Sequence, residues 1–522
     1  RMKFLVYICR VLVGSLFIIS GLIKVNDALG FYYKLQEYAE PGAFNLAFLD
    51  EYGMGLGIFV SIAEILLGVA LVVGALPKLT TILSAVMMVF FTVLTGYTCN
   101  CDPDGTTTIV MVNDAGIEVQ ETIPNQCVLE CGCFGNAIPL KACESYAKDW
   151  IICIFLLPIL IWALMGRIQL NTKQEDIYLF AGSLGVLMWF CMTWLDWLWP
   201  VLFTAVCYLA ATAIKRRSSS PHKEWFMAAA ILVITGAVQW YTLSHLPLKD
   251  YRPYAEGKNI AIQMLDVDGL VQTLSDKLMD GDKASVNAWL KEFDAVDPDV
   301  AIALRGKASQ ILALRGQAKQ DSIDALPAAA ARAGLRAPEL ATEFTFRNTK
   351  TGADTIVLST DWLKIYNEPW FKNTYENVTY EGKSITLSEG VEPNIVDLAP
   401  ENYDGEPMLD VILDAEWVFL HVSKDLNTAS TGTQQDLNAL AKAAEAAGVN
   451  VYGMTNAGYD EAEAFRHEHQ AAYPFLVADQ IEMKIIVRSN PGLVLLNRGT
   501  VVKKWAWRDV PAWDDVKGNL IP

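Results

Sequence analysis

Seven long apolar runs, all within the first 243 of 522 residues, constrain the fold of this chain most strongly. Each run has about 17 to 23 residues, close to the roughly 20 that a helix needs to cross the hydrocarbon core of a bilayer. The residues after these runs have the polar, acidic character of a water-soluble protein. We therefore expect a membrane all-α helical bundle of about seven transmembrane helices followed by a soluble α/β domain. The predicted spans are Phe4–Val25, Met54–Leu76, Thr80–Tyr97, Trp150–Gly166, Ile177–Trp194, Leu198–Ile214 and Trp225–Leu243.

The basic residues of the connecting segments predict how the bundle is oriented. With seven spans, nine of them fall on one side, and the positive-inside rule makes that side cytoplasmic. These nine are Arg1, Lys3, Lys78, Arg167, Lys173, Lys215, Arg216, Arg217 and Lys223. The first span has no small-residue cleavage site after it and is expected to be a retained anchor. We expect a multi-pass bacterial inner-membrane protein in contact with membrane lipid, with a cytoplasmic N-terminus and a periplasmic C-terminal domain. The net charge of -18 argues against nucleic acid as a partner.

Six of the ten cysteines lie in the segment between the third and fourth spans, on the predicted periplasmic side. They are Cys99, Cys101, Cys127, Cys131, Cys133 and Cys143. The periplasm is an oxidising space in which disulfides persist. One interpretation is that all six form three inert bridges that staple the loop, and six cysteines allow fifteen pairings.

A second interpretation assigns chemistry to the two C-x-C pairs. A disulfide within such a pair closes a small strained ring that is easily reduced, so Cys131 and Cys133 are a candidate exchanging pair. Cys99 and Cys101 would then form a second pair in relay. A zinc site is disfavoured, because zinc ligands are usually spaced by two or more residues and often include histidine, which this loop lacks.

Glu64 lies close to the middle of the second span, where an ionised carboxylate is costly and usually has a partner or a task. Lys24 and Arg10 on the first span are its candidate partners. Glu64 is a candidate catalytic residue that takes the proton released when a thiol or quinol is oxidised. It is equally consistent with a hydrogen-bonded strut between helices.

Several short motifs, in their order along the chain, resemble the DoxX superfamily, including its MauE-like members. The second span has Glu64 followed by Gly68, the loop before the fourth span contains CGCFG from Cys131, and an RSNPG motif begins at Arg488. The first span contributes Arg10, Gly14, Phe17, Ser20, Gly21, Lys24 and Asp27. The resemblance to long DoxX proteins of Bacteroidota covers about residues 2–166 and parts of 244–260 and 473–510. It implies a four-helix core and a membrane oxidoreductase, or an accessory to one, linked to quinone or thiol metabolism.

The soluble half shows helical spacing over residues 268–340 and then an alternation of strands and helices. This order, with Pro491 just before the final hairpin, resembles the peroxiredoxin-type branch of the thioredoxin-like fold, in which that proline is cis. The family keeps its active cysteine after the first core strand, and this chain has Ser423, Lys424 and Asp425 there. Thiol chemistry in this domain is therefore excluded by residue type. A module of this kind would bind peptides or dock onto a partner, or would form a structural lid over the membrane half.

The predicted domains follow from these patterns. They are a DoxX-like membrane domain at residues 1–166 with a cysteine-rich periplasmic loop at 99–148, further transmembrane helices at 167–243, a periplasmic collar and helical segment at 244–340, and a thioredoxin-like domain at 341–522. The leading functional hypothesis is exchange of disulfides or electrons between periplasmic thiols and a membrane quinone, with Cys131, Cys133, Cys99, Cys101 and Glu64 as catalytic candidates. The alternative is a non-catalytic subunit of a cell-envelope complex that contacts a protein partner.

Overall fold

The computed structural model describes residues 2–46, 48–102, 105–112, 118–128, 132–280, 283–293, 306–332, 338–365, 368–377, 383–388, 390 and 392–521. Its first half is a bundle of long helices. They are α1 (Met2–Asn26), α2 (Ala28–Ala39), α3 (Phe48–Val73), α4 (Pro77–Cys99), α5 (Ala142–Leu164), α6 (Lys173–Phe190), α7 (Trp199–Arg217) and α8 (Lys223–Ser244). A π-helical turn, Cys191–Leu195, extends α6.

Helices occupy all seven predicted spans. Within the described residues, six of them are long and apolar enough to cross a membrane: α1, α3, α4, α5, α6 with its π turn, and α8. The seventh, α7, has 19 residues and ends in the cations Lys215, Arg216 and Arg217. The prediction of membrane helices is thus confirmed for six spans, and for α7 it stays a prediction.

The pairing of α6 with α7 is antiparallel along the length of both helices. The hydroxyl groups of Ser183 and Tyr208 lie 2.7 Å apart near the middle of the pair. At one end Lys215 forms an ion pair with Asp176 in the first turn of α6, and at the other end the chain reverses at Asp196. α7 therefore runs back over the same depth of the bundle as α6.

Helices α1 and α3 cross at close range, and glycine makes this approach possible. A Cβ atom on Gly68 would lie 2.7 Å from the carbonyl oxygen of Gly14, and one on Gly21 would lie 2.8 Å from the carbonyl oxygen of Ser61. Small residues let helix backbones approach in membrane bundles, where packing rather than the hydrophobic effect holds helices together. The glycines of the sequence motifs in the first two spans thus have a packing role.

The segment between α4 and α5 is tied to the bundle by two disulfides. A hairpin of β1 (Thr106–Val112) and β2 (Glu118–Pro124) forms its centre. One disulfide joins Cys99 to Cys143, and a second joins Cys101 to Cys127, with Cα atoms 4.6 and 5.7 Å apart. The first disulfide therefore joins the end of α4 to the start of α5, and the second joins the two residues that flank the hairpin.

The soluble half contains two separate sheets. One has four strands, β3 (Glu339–Asn348), β4 (Asp354–Leu358), β5 (Tyr375–Asn377) and β6 (Lys383–Ser388), with β3 paired to the other three. Preceding helices include Val267–Asp280, Lys283–Phe293, Gln317–Asp324 and Leu326–Arg332. β3 and β4 pair as an antiparallel hairpin, and this hairpin lies outside the sheet that contains the last strands of the chain.

The second sheet has the order β11-β10-β7-β8-β9. Its strands are β7 (Val418–Val422), β8 (Asn450–Thr455), β9 (Phe475–Val477), β10 (Gly492–Asn497) and β11 (Thr500–Ala506). Strands β7, β8 and β9 are parallel, and β10 is antiparallel to β7 and β11. All five residues of β7 are buried, because apolar clusters cover both faces of the sheet. The Asn490–Pro491 peptide is cis.

Residues 266–394 are inserted into this α/β domain. Tyr254 and Ile260, from before the insertion, pack in the same core as Ile395 and the strands. The two ends of the insertion meet where the Ile395 amide donates to the Gln263 carbonyl at 3.2 Å. The collar that leaves the membrane is therefore also the first part of the α/β domain.

The soluble half rests on the end of the bundle that carries the disulfides. Arg488 Nε lies 2.9 Å from Asp27 Oδ1, between α1 and α2, and His245 Nδ1 lies 2.7 Å from Asp509 Oδ1. Asn26 Nδ2 donates to the Lys249 carbonyl at 2.7 Å. Residues from near both ends of the chain thus take part in the contact between the membrane half and the soluble half.

Candidate functional site

Lys24 and Glu64 form an ion pair inside the membrane bundle. Lys24 Nζ lies 2.9 Å from each carboxylate oxygen of Glu64, and the two side chains are only 1% and 5% exposed. Of the two partners expected for Glu64, Lys24 on α1 is confirmed. Burying two charges costs several kcal/mol per ion, and only close pairing with further hydrogen bonds offsets this cost.

Further contacts complete the surroundings of the lysine. Ser20, one helical turn before Lys24 on α1, accepts a hydrogen bond from Lys24 Nζ at 2.6 Å. The rings of Phe31 on α2 and Phe91 on α4 each have their centres 5.3 Å from the same nitrogen. The ammonium group is thus held by a carboxylate, a hydroxyl group and two aromatic rings, so that no face of it needs bulk water.

Arg10, the other candidate partner of Glu64, contacts different groups in the structure. It lies at the opposite end of α1, where Nε donates to the Leu71 carbonyl at 2.8 Å and Nη2 to the Val72 carbonyl at 3.0 Å. These carbonyls end α3 and have no partner within their own helix. Arg10 is therefore a cap for α3 and not a partner of Glu64.

Cys133 comes into the bundle beside this ion pair. Its carbonyl accepts a hydrogen bond from Ser20 Oγ at 3.3 Å, and the residue is 7% exposed. Gly132 and Gly135, on either side of the Cys133–Phe134 dipeptide, have φ of 69° and 49°, which glycine adopts without the penalty of a side chain. The CGCFG motif thus makes the turn that brings its second cysteine inward. Cys131, the other cysteine of the predicted exchanging pair, lies outside the described residues.

A small cavity connects the cysteine to the ion pair. Its volume is about 30 Å³, enough for one or two water molecules. Its walls include Ser20, Glu64, Cys133 and Asp149, with apolar residues of α1, α4 and α5 around them. Water in this cavity would contact both the cysteine and the carboxylates, and such contact is a requirement for proton transfer between them.

Asp149 is a second buried carboxylate at this cavity, and the sequence patterns did not single it out. It is 2% exposed, accepts a hydrogen bond from Thr95 Oγ1 at 3.0 Å, and pairs with Lys148 Nζ at 3.2 Å. The signal available in the sequence was a carboxylate directly before the apolar run that begins at Trp150. Only the packing of α4 against α5 shows that this carboxylate faces inward.

The remaining candidate cysteines are in disulfides at the outer end of the bundle. Cys99 and Cys101 are each bonded to a different cysteine, Cys143 and Cys127, and not to each other as the relay interpretation requires. A pair bonded within CNC would leave the loop free of α5, whereas the observed bonds hold the loop to it. Participation of Cys99 and Cys101 in exchange stays a prediction.

A polar cluster lies where the soluble half meets α2. Lys424, in the loop after β7, donates to the hydroxyl group of Tyr33, and Lys424, Lys484 and Arg488 lie 4.5, 5.2 and 5.3 Å from the centre of the Tyr33 ring. Burial, together with the nearby charge of Arg488, lowers the pKa of Lys424 to about 8. The loop after β7 therefore contacts the chain's own membrane half.

Comparison with known proteins identifies part of the membrane half. No curated protein matches the chain. Residues 2–104 match the family model described as methylamine utilisation protein MauE, a DoxX-like membrane family. This range contains α1 to α4, and with them Lys24 and Glu64, while Cys133 and Asp149 lie beyond it. The membrane half is thus similar to MauE over the helices that hold the buried ion pair.

Proposed function

We propose that this chain is a MauE-like membrane protein that passes electrons from periplasmic thiols to a quinone in the bilayer. Cys131 and Cys133 would be the exchanging pair. The observation that carries this proposal is the cavity whose wall includes both Cys133 and Glu64, the ion-pair partner of Lys24. A cation near a cysteine favours the thiolate, which is the form that attacks a disulfide.

The proposed chemistry balances as follows. A client dithiol exchanges with the Cys131–Cys133 disulfide, so that the client is oxidised and the pair is reduced. Reoxidation of the pair to the disulfide releases two electrons and two protons, and the quinone takes up two electrons and two protons to become a quinol. Glu64 would accept one of these protons, since it is a buried carboxylate on the wall of the cavity that Cys133 also lines.

A groove between α3, α4 and α8 supports access of a lipid-soluble acceptor. It has a volume of about 560 Å³ and is lined almost entirely by apolar side chains, among them Ala63, Phe90 and Ile231. Phe91 belongs both to this groove and to the wall of the cysteine cavity, so it separates the two spaces. The cysteine cavity holds only one or two waters. A quinone would therefore approach from the groove side, with Phe91 between it and the cysteine.

Location in the bacterial inner membrane, with the cysteine loop and soluble half in the periplasm, is part of the proposal. The cations of the connecting segments, such as Lys3, Arg167 and Lys215, lie at the end of the bundle away from the disulfides, as the positive-inside rule requires. Two disulfides at the opposite end are consistent with an oxidising compartment.

For residues 395–521 we propose a thioredoxin-like domain without thiol chemistry. The order β11-β10-β7-β8-β9, with three parallel strands and an antiparallel final hairpin, supports this assignment. Since Lys424 contacts Tyr33 of α2, a client protein would bind elsewhere on the soluble half.

A second candidate function is a non-catalytic subunit of a cell-envelope complex. The two disulfides favour it, because they hold the loop closed without any exchange. In that case the soluble half would serve as a docking surface for a protein partner.

Differential thiol labelling, followed by mass spectrometry of each cysteine, separates these functions. The full chain is purified in nanodiscs, reduced mildly, and labelled before and after addition of a short-chain quinone. We expect Cys131 and Cys133 to lose reactivity on quinone addition, while Cys99 and Cys143 keep one state throughout. A chain in which no loop cysteine changes state is not a quinone-linked oxidoreductase, and the subunit function would then stand.

A further inference from the structure

We infer that Asp149 is the second proton-carrying residue of the buried cavity and the one that exchanges protons with the periplasmic face. The inference rests on the proposed function, in which reoxidation of two thiols releases two protons. One carboxylate, Glu64, was expected from the sequence to take a proton. The structure brings a second carboxylate, from a different helix, to the same cavity.

The surroundings of Asp149 repeat those of Glu64. Each carboxylate pairs with a lysine, Glu64 with Lys24 at 2.9 Å and Asp149 with Lys148 at 3.2 Å. Each group also includes a hydroxyl, since Ser20 accepts from Lys24 and Thr95 donates to Asp149. Glu64, Asp149 and Lys148 thus line the cavity, and Lys24 pairs with Glu64. A proton on either carboxylate leaves its lysine with a net positive charge that favours a thiolate at Cys133.

The two pairs differ in their access to water. Lys24 and Glu64 are both almost completely buried, with side chains 1% and 5% exposed, whereas Lys148 is 21% exposed beside an Asp149 that is 2% exposed. Asp149 is seven residues after the start of α5 at Ala142, or about 10 Å along the helix at 1.5 Å per residue. Asp149 thus lies between the inner cavity and a lysine that reaches the surface, which is the position of an exit for protons.

The proton balance assigns one task to each carboxylate. Oxidation of two thiols to a disulfide breaks two S–H bonds, and the two electrons pass to the quinone. Glu64 receives a proton in the inner part of the cavity, close to the groove that we assign to the quinone. Asp149 receives the other thiol proton through cavity water and releases it at the loop face beside Lys148. The quinone gains two electrons and two protons, of which one proton comes through Glu64 and the second is taken up from water, so that the reaction balances.

The test is the pH dependence of quinone-driven reoxidation of the Cys131–Cys133 pair in the full chain. Asp149→Asn is expected to slow the reaction by at least about tenfold and to remove one ionisation from the pH profile, because loss of a positioned acid–base group usually costs 100-fold or more. Asp149→Glu is expected to restore most of the rate. Glu144→Gln alters an exposed carboxylate in the first turn of the same helix and is the matched control, expected to react like the wild type.

Thr95→Val provides an independent measurement if Asp149→Asn folds poorly. It keeps the carboxylate but removes its hydroxyl donor, so we expect the rate to fall by about threefold to tenfold, less than in Asp149→Asn, since one hydrogen bond is typically worth about 0.5 to 1.5 kcal/mol. Asp149→Asn with the wild-type rate and pH profile, or Thr95→Val with the wild-type rate, would overturn the inference and leave the proposed function intact. A wild-type chain whose loop cysteines never change state would overturn both.

Discussion

The ion pair between Asp27 and Arg488 connects the membrane half to the soluble half, and its removal is expected to loosen α2. Arg488 Nε lies 2.9 and 3.1 Å from the carboxylate oxygens of Asp27, and this carboxylate also accepts the Gly30 amide at 2.9 Å as the N-cap of α2. Breaking a buried pair typically costs 3–5 kcal/mol. The Asp27 side chain is 22% exposed, so we expect Arg488→Met to cost about 2 to 4 kcal/mol.

Hydrogen–deuterium exchange of peptides that cover α2 measures this cost locally. A loss of about 2 to 4 kcal/mol corresponds to exchange roughly 30- to 700-fold faster, since each 1.4 kcal/mol is a factor of ten. Asp27→Asn should have an effect of similar size, and the double variant should cost less than the sum of the two. Glu37→Gln, which removes an exposed pair with Lys34 on α2, is the control and should change the opening free energy by at most about 0.5 kcal/mol.

The pH dependence of the same exchange tests the charge on Asp27. Burial would raise the pKa of Asp27, but attraction by Arg488 and Arg252 and the hydrogen bonds from Arg488 and the Gly30 amide hold it below its usual range. A carboxyl whose pKa is lower in the folded state adds stability above its unfolded value of about 3.9, and this stability is lost as the pH falls further. Protection of α2 should therefore fall in the wild type below about pH 4 and stay flat in Asp27→Asn. Additive single variants, within about 0.5 kcal/mol, would refute the coupling of the two residues.

Three other outcomes are expected from the packing of the bundle. Gly68→Ala places a Cβ atom 2.7 Å from the Gly14 carbonyl oxygen and should lower the melting temperature in detergent. Gly236→Ala, with open space around it, should leave the melting temperature unchanged or raise it slightly. Equal effects of the two variants would contradict the close crossing of α1 and α3. Loss of the Cys99–Cys143 disulfide, which closes a loop across 44 positions, should lower the free energy of unfolding by about 4 kcal/mol on the chain-entropy model. Urea unfolding of the wild type and of Cys99→Ser, both without reductant, measures this difference. Glu64→Gln should lower the melting temperature and stop quinone-driven oxidation of the loop thiols, while Glu64→Asp should recover part of both; a variant that is stable but oxidises normally would contradict a proton-carrying role.

The positions of the long helices followed from sequence alone because apolar length and charge placement act locally along the chain. A run such as Trp225–Leu243 predicts a helix whatever its neighbours are, and α8 covers it. The amphipathic α2 had no such signal, since its 12 residues are too few for a span and its apolar residues are packed against α3 and α4. Only the structure shows that α2 covers Lys24, through the ring of Phe31.

Which charged groups and cysteines lie together depends on the tertiary structure and not on their spacing in the sequence. Sequence spacing identified Glu64 as a costly carboxylate but allowed two partners, and the crossing of α1 with α3 selected Lys24. Six cysteines within 45 residues allow fifteen pairings, and only the meeting of the ends of α4 and α5 joined Cys99 to Cys143. Likewise no sequence pattern distinguished Asp149 from the other acidic residues near the loop, and only the packing of α5 places it at the cavity.

The sequence by itself determined a membrane half, a cysteine loop and a soluble half without thiols, because hydropathy, charge and residue type are properties of the chain read in order. The tertiary structure decided which carboxylates face Cys133, which cysteines bond, and how the RSNPG motif returns to Asp27 near the other end of the chain. Those contacts join residues as many as 461 positions apart, and no local pattern encodes them. They form because buried charges require partners wherever the fold brings one within reach.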